Sequence, residues 1–274
     1  MRILHPTDFS STAEIARTLA LDLSKRLSAP LRVVHVQRKF SEGDGRNYLG
    51  TQLYAISADL QRRLEEERQL ETKVLRERLL HLAEGNAVGE LVWGEPLPEL
   101  LRLSREHDLV VMGAHGANPF DAVFLGGTAG RLVRRTSTPV VTVRASTTTT
   151  SIRRIVVATD FGEASLHAWG VTKGFAEAGT VKLVLAHVVE GRGSDDTTAV
   201  NESLHAMSAG VAERLVVRRG NAVEVLPQIA EDVGADAIAV GLRRHGSVAG
   251  LVLGSRADAL LRSSAVPILS VPMA

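Results

Sequence analysis

The chain contains two copies of one sequence pattern, and this internal repeat constrains the fold more than any other feature. Residues 3–9 (ILHPTDF) reappear as residues 156–161 (VVATDF), and residues 34–36 (VHV) reappear as residues 186–188 (AHV). Position 8 thus corresponds to position 160 and position 36 to position 188, an offset of 152 in both cases. The first part of the pattern therefore repeats in a constant register.

The repeat continues later in the chain at a smaller offset. At an offset of 128, residues 108–113 (DLVVMG) match 236–241 (DAIAVG), Gly126 matches Gly254, and residues 139–140 (PV) match 267–268 (PI). The change from 152 to 128 means that the second copy is about 24 residues shorter in its middle. A register kept through both halves indicates a tandem duplication.

The length of the chain and one polar segment agree with two domains. The chain has 274 residues, close to two domains of about 150 residues each. Residues 146–151 (STTTTS) are all short and polar, and such side chains compete with the backbone for hydrogen bonds, which is typical of a linker. We therefore predict a first domain at 1–145, a linker at 146–151, and a second, trimmed domain at 152–274.

Each copy alternates predicted strands with predicted helices. In the first copy we predict strands at 2–5, 31–36, 90–93, 109–112 and 140–143, and helices at 10–27, 59–84, 97–106 and 128–135. Ser10 or Ser11 is placed to cap the first helix, and the leucines at positions 60, 64, 75, 79 and 82 are expected to pack the second helix on the sheet. The strands are continuous apolar runs, which is typical of a parallel sheet with helices on both faces. Each half is therefore predicted to be an α/β domain.

Composition excludes several classes of function. Apolar residues make up 45% of the chain, and 32 basic against 31 acidic residues give a net charge of +1, so nucleic acid and anionic membranes are not expected partners. The absence of cysteine excludes disulfides, cysteine-ligated metals and thiol catalysis. The first residues turn polar too early for a signal peptide, and no apolar run reaches the ~20 residues that span a bilayer. We expect a soluble, cytoplasmic protein.

Two predicted strand ends carry residues suited to a ligand. Asp8 follows the first strand, and residues 113–116 (GAHG) follow the fourth, nine residues before Gly126-Gly127-Thr128 opens a helix. Ligands of open parallel sheets bind at the carboxyl ends of the strands, glycines allow close backbone approach, and a helix start offers free N–H groups to anions. A nucleotide would fit, with its ribose on Asp8 and its phosphates on the glycine loop. A duplication copies a structural turn as readily as a site, so both interpretations stay open.

These motifs together resemble the universal stress protein family over both halves of the chain. The resemblance is carried by residues 6–10 (PTDFS), the VHV strand, residues 112–116 (MGAHG) with nine residues to Gly126, and residues 139–143 (PVVTV). It implies two tandem open five-stranded parallel sheets of order 3-2-1-4-5, a Rossmann-like fold similar to that of the adenine nucleotide alpha hydrolases. It also implies that the last strands, at 140–143 and 268–271, pair the halves as an intramolecular pseudo-dimer, and it is compatible with a homodimer of chains.

The resemblance also implies an ATP site, because the motif G-x2-G-x9-G-[ST] marks the ATP-binding members of that family. By position, Asp8 would bind the ribose, the backbone of Val36 would contact adenine, and the glycine loop would hold the phosphates. The implied first-half site is Pro6, Thr7, Asp8, Val36, Met112, Gly113, His115, Gly116, Gly126, Gly127 and Thr128. The implied second-half site is Asp160, Val188, Gly241, Arg244, Gly254 and Ser255.

Each half departs once from that motif. Gly127 stands at the hydroxyl position of the first half, with Thr128 one place later, and the loss of one neutral hydrogen bond of ~0.5–1.5 kcal/mol lowers affinity without abolishing it. Arg244 replaces the second glycine of the second half, where a positive φ would cost a non-glycine residue ~1–2 kcal/mol. We therefore expect the first half to be the better ATP site.

Other conspicuous side chains have structural interpretations. His35 and His187 lie inside apolar strands and are read as core histidines, and Asp121, Arg131 and Arg134 are read as surface charges. The helix at 59–84 carries many charges of both signs, which is typical of a solvated face. The chain has neither a P-loop motif nor a dinucleotide-binding G-x-G-x-x-G after a strand.

Three functional hypotheses follow. The first is a non-enzymatic, ATP-binding regulator of the stress response, in which any Mg²⁺ is held by the phosphates of ATP. The second is an interaction or assembly module whose nucleotide sites have decayed. The third is a slow ATPase or phosphotransferase. A nucleotide that acts as a regulator must bind one conformation more tightly than another.

Overall fold

Strands and helices alternate along both copies. The computed structural model of the chain describes residues 1–38, 58–115, 127–178, 181–191, 197–243 and 255–273, with the backbone alone at 58–61. The first copy contains β1 (Ile3–Pro6), α1 (Ser11–Arg26), β2 (Leu31–Gln37), α2 (Ala58–Leu82), β3 (Ala87–Trp93), α3 (Pro96–Ser104), β4 (Leu109–Gly113), α4 (Gly127–Arg135) and β5 (Val140–Val143). The second contains β6 (Arg154–Ala158), α5 (Glu163–Glu177), β7 (Lys182–Val189), α6 (Thr197–Ser208), β8 (Arg214–Arg219), α7 (Ala222–Val233), β9 (Ala237–Leu242), α8 (Ser255–Ser263) and β10 (Ile268–Pro272).

Within the described residues, all ten strands belong to one sheet. Their order is β3-β2-β1-β4-β5-β10-β9-β6-β7-β8, so each copy has the predicted order 3-2-1-4-5. Pairing is parallel within each copy, and β10 pairs with β5 in antiparallel orientation, with Leu269 opposite Val141. The α/β fold class and the pairing of the last strands are therefore confirmed. The division of the chain at residues 146–151 stays a prediction.

The element bounds of the first copy differ from the predicted ones by at most three residues, and those of β5 are the predicted ones. Ser10 is the N-cap of α1, and its Oγ accepts a hydrogen bond from Ala13 N, which decides between the two serines proposed as the cap. The strand β3 begins at Ala87 instead of residue 90 because residues 87–89 pair with β2. The predicted shortening of the second copy coincides with α6, which has 12 residues against 25 in α2.

Two apolar layers cover the two faces of the sheet. The helices α3, α4, α7 and α8 pack on one face, and α1, α2, α5 and α6 pack on the other. Along α2, Leu79 is buried and Leu82 is partly buried, but Leu64 is 39% exposed, so the prediction that it packs on the sheet is wrong. The position of Leu60 lies outside the described side chains. No described helix is both long enough and apolar enough to span a bilayer.

Polar contacts across the joint add to the pairing of β5 with β10. Arg134 on α4 forms an ion pair with Asp258 on α8, with 2.6 Å between Nη2 and Oδ1. Thr147 Oγ1 donates a hydrogen bond to the carbonyl of Ala265. Because the two halves share one sheet and these contacts, we expect them to unfold together.

Leu269→Ala tests this cooperativity. Leu269 is buried opposite Val141 at the joint, so its truncation should lower the free energy of unfolding by about 2–5 kcal/mol. Trp93 and Trp169 lie in different halves, and single-tryptophan variants allow urea unfolding of each half to be followed by fluorescence. Both transitions should shift equally, whereas Val88→Ala, at an exposed position, should change stability by at most about 0.5 kcal/mol. A shift of the Trp169 transition alone would contradict a shared sheet.

The buried side chain of His5 makes the free energy of unfolding depend on pH. Burial lowers its pKa to about 4, and Nδ1 donates to the carbonyl of Val111. The unfolded chain, with a histidine pKa near 6.5, binds the proton more readily, so stability falls as the pH is lowered from about 6.5 to 4, by about 3 kcal/mol from His5 alone. His5→Asn should remove this part of the slope in urea unfolding measured from pH 7 to 4. Equal slopes for the two proteins would show that His5 is not held neutral.

Candidate functional site

The first half has a crevice where the carboxyl ends of β1, β2 and β4 meet the start of α4. Its volume is about 380 Å³, within the range of small-molecule sites. Neighbouring connections leave β1 and β4 on opposite faces of the sheet, which opens the crevice between these strands. The structure brings together nine residues that the sequence singled out: Pro6, Thr7, Asp8, Val36, Met112, Gly113, His115, Gly127 and Thr128. Gly116 and Gly126 lie outside the described residues.

The further lining residues include His35, Pro96, Leu100 and Arg131. Arg131 is exposed, which agrees with its interpretation as a surface charge, and it also lines the crevice, with its Nε donating to the carbonyl of Gly127 at 2.6 Å. Pro96 and Leu100 belong to α3, and no motif in the sequence pointed to that helix. The signal available was the position of α3 directly before β4, the strand that pairs with β1.

The turn after β1 places the carboxylate of Asp8 at the rim of the crevice. Phe9 has a φ of 61°, a left-handed conformation that costs a residue with a side chain ~1–2 kcal/mol. Two side chains hold this conformation: Thr7 Oγ1 accepts from Phe9 N at 3.0 Å, and Asp8 Oδ1 accepts from Ser10 N at 3.0 Å. Backbone strain of this kind is retained where the surroundings determine it, and it is frequent at functional sites.

His35 connects this turn to β2. Its Nδ1 donates to the carbonyl of Thr7 at 2.8 Å, and its ring packs on that of Phe9 with centroids 4.7 Å apart. His35 is hydrogen-bonded as predicted, but it is only partly buried and lines the crevice, so its assignment to the core is wrong. Its place beside the turn was missed, although the TDF and VHV segments recur together in both copies.

The second half repeats this turn. Phe161 has a φ of 59°, Thr159 Oγ1 accepts from its N–H at 2.9 Å, and Asp160 Oδ1 accepts from Gly162 N at 2.9 Å. His187 Nδ1 donates to the carbonyl of Thr159 at 2.8 Å, so His187 is likewise a satisfied histidine. The duplication therefore preserves the geometry of the carboxylate as well as its sequence.

The walls of the first crevice carry apolar groups that suit a ring and polar groups that suit an anion. Met112, Leu100 and Ala129 belong to the buried layer on this face of the sheet, and Val36 packs against it. Thr128, in the first turn of α4, and the side chain of Arg131 also line the crevice. A helix start with a nearby cation favours a negatively charged group.

The glycine at the end of each fourth strand has a packing role. A Cβ on Gly241 would lie 2.1 Å from the carbonyl oxygen of Ala164 in the first turn of α5. A Cβ on Gly113 would lie 3.1 Å from Thr12 Cγ2. Close approach of helix and strand therefore explains both glycines whether or not a ligand binds.

The second half has a crevice of the same volume, about 380 Å³. Of the predicted residues, Asp160, Val188 and Gly241 line it, while Ser255 lines an adjoining cleft. Arg244 and Gly254 lie outside the described residues. The rim carries Arg243, Arg256 and Glu190, none of which the motif pointed to.

Two ion pairs cross the second crevice. Arg243 Nη2 lies 3.1 Å from Asp160 Oδ2, and Arg256 pairs with Glu190. Partial burial acts to raise the pKa of Asp160, but hydrogen bonds from Gly162 N and Ser165 Oγ and the charge of Arg243 outweigh it, so the pKa lies below its ordinary value. Asp160 is therefore charged at neutral pH.

The described residues contain no group of three or more histidine, aspartate or glutamate side chains that could hold a metal ion. The expectation of Mg²⁺ thus depends on phosphate oxygens of a bound nucleotide as its ligands.

Comparison with known proteins gives a family. The sequence model of the "Universal stress protein family" matches residues 1–144 and again residues 151–272. Universal stress protein Rv2005c of Mycobacterium tuberculosis is 27% identical over 197 residues, which cover 66% of this chain and 67% of that protein. Universal stress protein MJ0577 of Methanocaldococcus jannaschii is 25% identical over 154 residues, 52% of this chain and 94% of that protein.

A solved structure gives the same answer for the fold. The crystal structure of a universal stress protein from Archaeoglobus fulgidus superposes with a TM-score of 0.74 at 22% identity and covers 99% of this chain and 98% of that one. Both halves match the family, and the sheet order agrees with the one that the sequence resemblance implied. The chain belongs to the universal stress protein family.

Proposed function

We propose that the first half binds ATP in the crevice between β1 and β4, and that binding makes the protein a nucleotide-dependent regulator of the stress response. The observation that carries this proposal is the convergence on one crevice of nine residues that the sequence motif implied. They come from four segments of the chain, and the parallel pairing of β1 with β2 and with β4 brings three of those segments together beside the start of α4.

Asp8 would receive the ribose. A carboxylate accepts hydrogen bonds from two neighbouring hydroxyl groups, and such charge-assisted bonds are stronger than neutral ones. The Thr7-Asp8-Phe9 turn and His35 hold its backbone in one conformation, which lowers the entropic cost of binding.

Two other sets of lining residues would receive the adenine ring and the phosphates. The apolar floor at Met112 and Leu100 suits the adenine ring, whose edge could reach the backbone of Val36. The start of α4, Thr128 and Arg131 would meet the phosphates. Asp8 is the single carboxylate among the described lining residues, and its proposed partner is the ribose. We therefore propose binding without turnover.

Regulation requires that ATP bind one state more tightly than another. The proposed site is lined by the end of β1 and by the start of α4, which belong to different segments of the chain. A nucleotide that contacts both would favour the arrangement in which they lie together, and this difference in affinity would be read by a partner.

Asp8→Asn should weaken ATP binding by about 10- to 100-fold, because it removes the charge from hydrogen bonds worth about 1.5–3 kcal/mol. Isothermal titration calorimetry with ATP measures this. Asp232→Asn, which removes a carboxylate from a surface pair with Arg218, should leave the affinity within twofold. Undiminished binding by the Asp8 variant, or no binding by the wild type, would contradict the proposal.

Arg131→Met separates the phosphate end from the adenosine end. Loss of the cation should weaken ATP binding about tenfold through one charged contact, while adenosine, which has no phosphate, should bind within twofold of the wild type. Both affinities are measured by the same titration. An equal loss for ATP and adenosine would mean that Arg131 supports the fold of the crevice and does not face phosphate.

A further inference from the structure

We propose that the polar groups of the second crevice are occupied by the chain's own arginine side chains, so that the protein takes one adenine nucleotide per chain, in the first half. The first part of this inference, the nucleotide in the first crevice, rests on the proposed function. The second part, the self-occupied second crevice, rests on contacts within the protein.

Arg243 has a built seat beside Asp160. Its Nη2 lies 3.1 Å from Asp160 Oδ2, and a Cβ placed on Gly162 would lie 2.1 Å from the same nitrogen. In this position the guanidinium of Arg243 takes up space that a side chain at residue 162 would enter. In the first half the corresponding positions, by the offsets of 152 and 128, hold Ser10 and His115. The glycine and the arginine thus occur together in one half and neither occurs in the other.

A second pair closes the neighbouring side of the crevice. Arg256, in the first turn of α8, pairs with Glu190, which follows β7. Glu190 Oε1 also accepts a hydrogen bond from Ala222 N at the start of α7, at 3.1 Å. Glu190 thereby accepts from the start of α7, while its partner Arg256 lies in the first turn of α8, the helix that corresponds to α4.

These contacts act against a nucleotide at both of its polar ends. Ribose hydroxyls would have to displace Arg243 from Asp160, and phosphates would approach the negative charge of Glu190. Exposed ion pairs are individually weak, but Arg243 engages the Asp160 oxygen to which a ribose hydroxyl would bond. We expect nucleotide affinity in the second crevice to be at least about 100-fold lower than in the first.

The floor of the second crevice does not explain such exclusion. Val188, Val240 and Leu260 are apolar, as are the corresponding walls of the first half. The difference between the crevices therefore lies in the charged rim. Adenosine has no phosphate, so its binding depends on the apolar floor and the carboxylate and needs no phosphate loop. Adenosine is therefore the probe that tests the effect of the charged rim on binding.

Titration calorimetry with adenosine tests the exclusion. The wild type should bind one adenosine per chain, and Arg243→His combined with Arg256→Thr, the residues found at these positions in the first half, should bind two. Asp8→Asn added to that pair should weaken the first site and leave the second. Two sites in the wild type, or one site in the double variant, would overturn the inference.

A nucleotide-free measurement keeps the inference testable if the proposed function fails. NMR detection of the Asp160 carboxyl carbon during a pH titration should show a higher pKa in Arg243→His than in the wild type. Gly162→Ser, which puts a side chain into the seat of Arg243, should also raise it, and Gly174→Ser should not, because a Cβ there meets nothing within 4 Å. A wild type that binds no adenosine refutes the proposed function alone, whereas an unchanged pKa in both variants refutes the self-occupied crevice.

Discussion

The parallel pairing of β1 with both β2 and β4 is the constraint on which the rest of the structure depends. This pairing places β1 in the middle of the first half. The connections that follow β1 and β4 leave to opposite faces of the sheet, so that a crevice opens at the carboxyl end of β1. The duplication repeats this arrangement around β6, and the antiparallel joint of β5 with β10 makes the two halves one sheet. Two crevices of equal size are the direct consequence.

The two halves have similar backbones but different side chains at the rims of their crevices. The strained turns at Phe9 and Phe161 are held by the same threonine and histidine contacts, so both copies present a carboxylate in the same way. The halves then diverge in the side chains that face that carboxylate. Arg243, beside Gly162, forms an ion pair with the carboxylate of the second crevice, and on our proposal the same scaffold therefore favours a nucleotide in the first half over the second.

The strands and the parallel sheet type followed from the apolar runs and their repeat, whereas the strand order, and with it the position of the switch between connections, followed from the resemblance to the family. The left-handed conformation of Phe9 did not follow, since it depends on the directions of the Thr7 and Asp8 side chains and on the packing of the Phe9 ring against His35 of the neighbouring strand. The sequence also drew attention to Arg244, which replaces a motif glycine, whereas the contact that the structure describes is made by its neighbour Arg243. A motif compares residue types, but the direction of each side chain is set by the local backbone. Leu64 shows the same limit, since its helical spacing matches that of Leu75 and Leu79 although α2 exposes it.

The central claim is that an adenine ring lies on the floor of the first crevice. The most direct test is an intermolecular NMR experiment on the wild-type chain with ATP, in which nuclear Overhauser effects are recorded from the adenine protons to assigned methyl groups. We predict nuclear Overhauser effects from the adenine protons to the methyl groups of Val36 and Met112 and none to those of Val188 and Val240. Effects to the second-half valines, or none to Val36 and Met112 at saturating ATP, would contradict it.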